Sequence, residues 1–158
     1  MAEPLAEKIM RRIGEAAQQY YRLVVLAAPA GAGKTTALRD VQQRTSAPLV
    51  NVNLELSRRM LELTERQRTL QLPHLLAEIV GASATEVILL DNIEVLFDVS
   101  LKQDPLRLLQ GLSRNKTVVV AWNGSMDGER MLYATPDHPE YRRYPLRDFL
   151  VVRPEANA

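Results

Sequence analysis

Residues 28–36 read A-P-A-G-A-G-K-T-T, directly after the apolar run R-L-V-V-L-A-A at 22–28 and directly before a stretch of helical pattern. No other stretch limits the fold so strongly. The phosphate-loop pattern G-x-x-x-x-G-K-[ST] is met at Gly33, Lys34 and Thr35, with Ala28 in place of its first glycine. Each residue type has a reason. Gly31 and Gly33 let the backbone turn tightly and bring bare amides against phosphate oxygens. The helix that follows adds unpaired N–H groups and a partial positive charge. Lys34 is suited to the β- and γ-phosphates, and the Thr35 hydroxyl to magnesium. Pro29, Ala30, Gly31, Ala32, Gly33, Lys34, Thr35 and Thr36 are therefore the candidate nucleotide-binding residues. The alternative is a Gly-rich turn that happens to precede a lysine, but strand, loop and helix occur in the required order.

The rest of the chain alternates in the same way. A helix is expected over 3–20, from Leu5, Ile9, Ile13, Ala16, Ala17 and Tyr20 on one face, with Pro4 in its first turn. Strands are expected at 22–28, 48–54, 86–90, 117–122 and 148–152, with helices at 34–45, across 55–81 and after Asp104-Pro105. Pro73 is expected to break the 55–81 stretch into two helices. Such alternation predicts one three-layer α/β domain with a five-stranded, mostly parallel sheet. No repeat or linker divides residues 1–158.

Composition narrows the function. Twenty basic and nineteen acidic side chains leave a net charge of +1, so overall charge makes no case for nucleic acid or an acidic membrane. There is no cysteine, which excludes disulfides and thiolate metal sites. No apolar run approaches the roughly 20 residues of a membrane helix and no signal peptide is evident, so a cytoplasmic protein is expected.

Asp91 ends the apolar run V-I-L-L-D at 87–91, where open parallel sheets bind ligands. It is the candidate to hold magnesium together with Thr35; a turn cap is the alternative. Asn92 follows, which can hydrogen-bond a water but cannot take its proton. Glu94 can do so if the backbone turns it inward; otherwise it is a surface glutamate. Asn123 closes the fourth strand, and Asn123-Gly124 also reads as a turn. His74 and His138 have no second ligand at metal spacing. Trp122 reads as packing, and the arginines at 58, 59, 66 and 68 as a solvated face. Residues 115–118 are N-K-T-V and lack the aspartate of a guanine-reading N-K-x-D element, so adenine is expected.

This arrangement resembles the AAA+ and related ATPases. The resemblance implies a sensor role for Asn123 at the γ-phosphate or water, and a polar partner for the glutamate at Asn51 or Asn53. It also implies an arginine finger at Arg142 or Arg143, which a basic turn or, with Tyr141 and Tyr144, a single-strand-binding patch would replace. A glutamate usually follows the aspartate in these families; Asn92 departs from that and suggests slow or partner-completed hydrolysis. The four-helix lid of many AAA+ cores has no counterpart after 152, which tells against a standalone ring motor.

In size, in AAPAGAGKTT, in LLDNIEVLF and in VVVAWNG, residues 3–152 also resemble the BrxF family of small P-loop proteins of bacterial BREX phage-defence systems. That resemblance implies an ATPase-like component beside a larger P-loop ATPase and a DNA methyltransferase, and a homo-oligomer is possible. Two other readings stand beside it. One is a small-molecule kinase using Arg142 and Arg143 as lid arginines. The other is a binding module whose ATP and Mg2+ only stabilise the fold.

Overall fold

The computed structural model describes residues 4–127, 129–134 and 137–154. The elements in order are α1 (Leu5–Ala16), β1 (Leu23–Ala28), α2 (Lys34–Thr45), β2 (Leu49–Asn51), α3 (Val52–Met60), α4 (Glu65–Gly81), β3 (Val87–Asp91), two 3-10 turns (Glu94–Phe97 and Val99–Leu101), α5 (Pro105–Leu112), β4 (Thr117–Asp127), β5 (Arg130–Tyr133), β6 (Arg142–Pro145) and β7 (Leu150–Val152). Five strands form a parallel sheet in the order β2-β3-β4-β1-β7.

The central strands β1, β3 and the first part of β4 are buried on both faces, which is why they are continuous apolar runs rather than alternating ones. Val24 and Leu26 of β1 pack with Ile9 of α1 and Leu38 and Val41 of α2. Leu23 and Val25 face the other way, onto Leu56, Leu76 and Leu109 of α3, α4 and α5. These side chains are almost wholly buried. Each contributes about 1.5–3 kcal/mol, so the sheet is a rigid base for the loops at its C-terminal edge.

Three expectations are corrected. The first helix is shorter than 3–20: residue 3 lies outside the described residues, and the helix ends at Ala16 with a C-cap at Ala17. The second strand stops at Asn51 rather than running to 54. Asn51 instead caps α3, its Oδ1 accepting from the Leu54 amide at 3.1 Å, and capping outweighs the strand-like alternation of V-N-V-N-L.

The break within 55–81 lies at 61–64, and α4 runs straight through Pro73. Thr64 and Gln67 form a reciprocal capping box that starts α4. Arg68 Nε donates to the carbonyls of Met60 and Leu63 at 3.0 and 3.1 Å and ties the break together. Pro73 removes the amide that would bond the Thr69 carbonyl. Gln103 Nε2 donates to that carbonyl at 2.9 Å in its place.

One feature goes beyond the expected five strands. β4 continues past the parallel sheet as an antiparallel partner of β5, which pairs with β6. Asn123-Gly124 is thus mid-strand rather than a turn.

Candidate functional site

A cleft of about 400 Å³ lies at the C-terminal edge of the sheet. Ala30, Gly31, Gly33, Lys34, Thr35 and Thr36 line one wall, and Asp91, Asn92, Glu94 and Asn123 the other. β4 separates β1 from β3, so both walls reach the cleft from strand ends that point the same way. Ala28 pairs with Asn123 and Asn51 with Asp91 at those ends. Larger hollows of about 500 and 460 Å³ lie beside α4 and the 3-10 turns, the first of them also against α3. They lack a phosphate loop, so chemistry rather than size identifies the cleft.

The loop wraps tightly because Gly31 and Gly33 sit at φ +83° and +89°, where a side chain would be strained. Gly33 caps α2 without a side chain and leaves the first amides of that helix facing the cleft. Lys34 is buried, and its Nζ donates to the carbonyls of Ala28 and Pro29, both at 2.7 Å. Burial holds its pKa below the ordinary 10.5, while the charges of Asp91 and Glu94 push the other way.

The Thr35 hydroxyl donates to Asp91 Oδ2 at 2.6 Å. The other oxygen, Oδ1, accepts from the Asn92 amide at 3.0 Å. A hydroxyl and a carboxylate side by side are hard oxygen donors that suit magnesium. No group of three or more His, Cys, Asp or Glu among the described residues is placed to hold a metal.

Glu94 turns inward. Asn92 adopts φ +53°, a left-handed conformation that asparagine tolerates, and the 3-10 turn starts two residues later. Asn123 Nδ2 then donates to Glu94 Oε2 at 2.6 Å, and Asn53 Nδ2 to Oε1 at 3.2 Å. Asn53 is itself fixed, since its Oδ1 accepts from the Val95 amide at 2.8 Å and its own amide donates to the Asn92 carbonyl at 2.8 Å. Of the two asparagines, Asn53 rather than Asn51 meets the glutamate. It does so from the first turn of α3.

The arginine pair lies elsewhere. Arg142 and Arg143 are on β6, and neither lines the cleft. Arg142 Nη2 donates to the Gln103 carbonyl at 2.8 Å, while Arg143 is exposed. Tyr144 packs edge-on to Trp122 and its hydroxyl donates to Asp104 Oδ1 at 3.2 Å, so it is not presented for base stacking. His74 meets Glu78 at 3.1 Å, and His138 Nδ1 accepts from the Glu140 amide at 3.0 Å, both local roles. No helix among the described residues is long and apolar enough to cross a membrane.

A parallel sheet that ends in a phosphate loop, with a carboxylate on a strand two places away and a polar residue on the strand between them, defines a P-loop nucleoside triphosphatase domain. Residues 24–126 match the ATPase family associated with various cellular activities (AAA), and the chain belongs to that family. Among solved structures, a chain in the structure of Drosophila ORC bound to DNA is similar, at 18% identity and a TM-score of 0.48. The match covers 94% of this chain and 41% of that one. No curated protein was found to match.

Proposed function

We propose that this domain binds ATP with magnesium and hydrolyses it, serving as an ATPase or nucleotide switch within a larger assembly. One observation carries the reading: the Glu94 carboxylate, held by Asn53 and Asn123, shares a cleft with Lys34 and the Thr35–Asp91 pair. The loop amides and Lys34 hold the phosphates; Thr35 and Asp91 would hold magnesium, which would supply positive charge against them. Glu94 orients the attacking water and takes its proton, and Asn123 contacts the γ-phosphate or that water. Asn92 supplies the turn that brings Glu94 in, so the missing glutamate at that position is made good from two residues on.

Lys34 is the one cation among the described residues lining the cleft. A developing charge on the γ-phosphate calls for another, which supports an arginine from a neighbouring subunit. Arg143 suits that role better than Arg142, because it is exposed and has no side-chain partner among the described residues. The setting we favour is a phage-defence assembly of the BREX kind in the cytoplasm, with a larger P-loop ATPase and a DNA methyltransferase as neighbours. The runs LLDNIEVLF and VVVAWNG support it.

The test is turnover by mixed subunits. Lys34→Ala and Arg143→Ala proteins, each inactive alone, should regain hydrolysis when combined, since the intact loop of one then meets the intact arginine of the other. Turnover by Arg143→Ala alone at the wild-type rate, at every protein concentration, would rule out the finger.

A further inference from the structure

β4 serves two structures at once. Thr117–Asn123 lies in the parallel sheet, paired with β1 or β3, and Gly124–Asp127 pairs with β5. Asn123 sits at the handover, level with Ala28 on one side and followed at once by the Gly124–Tyr133 pair. Gly124 is required there. A Cβ on it would run into the Leu132 carbonyl and come within 2.8 Å of the Trp122 ring. The space is taken because the Trp122 indole N–H reaches across to donate to that carbonyl at 3.1 Å.

The far end of the Glu94–Phe97 turn enters the same place. Phe97 is fully buried, stacks on Tyr133 of β5 with centroids 3.5 Å apart, and meets Trp122 edge-on at 5.1 Å. Trp122 also meets Tyr133 edge-on at 6.1 Å. Glu94 is therefore held twice by one aromatic cluster: through its backbone by Phe97, and through its side chain by Asn123, the residue after Trp122. A 3-10 turn of four residues is short, so displacement at Phe97 reaches Glu94 with little damping. Burial, with the charge of Glu94 adding to it, raises the Tyr133 pKa to about 12.

We infer that the β5–β6 hairpin is the device that positions the hydrolytic pair, with Phe97, Trp122 and Tyr133 as positioning residues for Glu94 and Asn123. This rests on the assignment of Glu94 as the water-orienting base.

The test uses the full chain with Tyr133→Leu, which keeps apolar bulk but removes the stack, and Tyr133→Phe, which keeps the stack. A misplacement of about 1 Å at a catalytic group costs on the order of 100-fold. Tyr133→Leu should accordingly lower kcat by about 10- to 100-fold with KM for ATP within about twofold, and Tyr133→Phe should match wild type. Gly124→Ala should behave as Tyr133→Leu does. The ¹³C chemical shift of the Glu94 carboxyl, read without nucleotide, should move in Tyr133→Leu and stay in Tyr133→Phe. Wild-type kcat in Tyr133→Leu, or a loss confined to KM, would overturn the proposal, as would an unmoved Glu94 signal. Failure of the underlying assignment looks different: Glu94→Gln would then turn over ATP normally, and the carboxyl shift alone would decide the coupling.

Discussion

Replacing Glu94 by glutamine changes one atom type and disturbs two hydrogen bonds. Both carboxylate oxygens accept from amides, Oε2 from Asn123 and Oε1 from Asn53. A glutamine offers one acceptor and one donor, so one asparagine must turn over. Asn53 resists, because its Oδ1 already accepts from the Val95 amide. Asn123 therefore flips, and two charge-assisted bonds become two neutral ones. At about 1 kcal/mol each, the cost is at most about 2 kcal/mol. For a domain of this size that lowers Tm by about 4–8 °C.

Turnover should suffer more. Loss of a general base typically removes 10²–10⁴-fold, or about 3–5 kcal/mol of transition-state stabilisation. ATP affinity should hardly change, since Lys34, Thr35 and Asp91 are intact. The assay is phosphate release at saturating ATP with magnesium, beside a thermal melt. A Glu94→Gln protein that hydrolyses within threefold of wild type would refute the base assignment, whatever its Tm.

The phosphates of ATP favour the Lys34 ammonium, whereas burial in the free protein disfavours it. ATP affinity should thus be full below the lowered free-protein pKa of Lys34 and decline as pH rises through it, with proton uptake on binding visible by calorimetry in buffers of different ionisation enthalpy. Uptake absent throughout the alkaline range would deny Lys34 that role. Gln103→Ala should cost about 1–2 kcal/mol, because its amide serves the Thr69 and Leu101 carbonyls at 2.9 and 2.8 Å. Chemical denaturation should show a lower midpoint with an unchanged slope, and an unchanged midpoint would mean that water serves the Thr69 carbonyl equally well.

The phosphate loop and the Asp91 strand were legible because each depends on local chemistry: glycines where the backbone must turn left, and an apolar run ending in a carboxylate. The inward turn of Glu94 was only conditional in the sequence, since it depends on the left-handed Asn92 and on Asn53 and Asn123 arriving from distant segments. Pro73 misled because the partner that satisfies the freed carbonyl, Gln103, is 34 residues from Thr69. The second strand ended early for a comparable reason, with Asn51 able to act as strand residue or cap and the cap prevailing. The β4–β5 hairpin did leave a signal. Asp127-Gly128 stands between S-M and a run with β-forming residues, E-R-M-L-Y.

Calorimetric titration of the purified chain with ATP, with magnesium and with a chelator, reads nucleotide binding itself. The expected result is one ATP per chain, no binding by Lys34→Ala, and an Asp91→Ala variant that loses the magnesium-dependent part of the affinity while keeping the rest. No heat from the wild type at millimolar ATP, or equal affinity in Lys34→Ala, would contradict it.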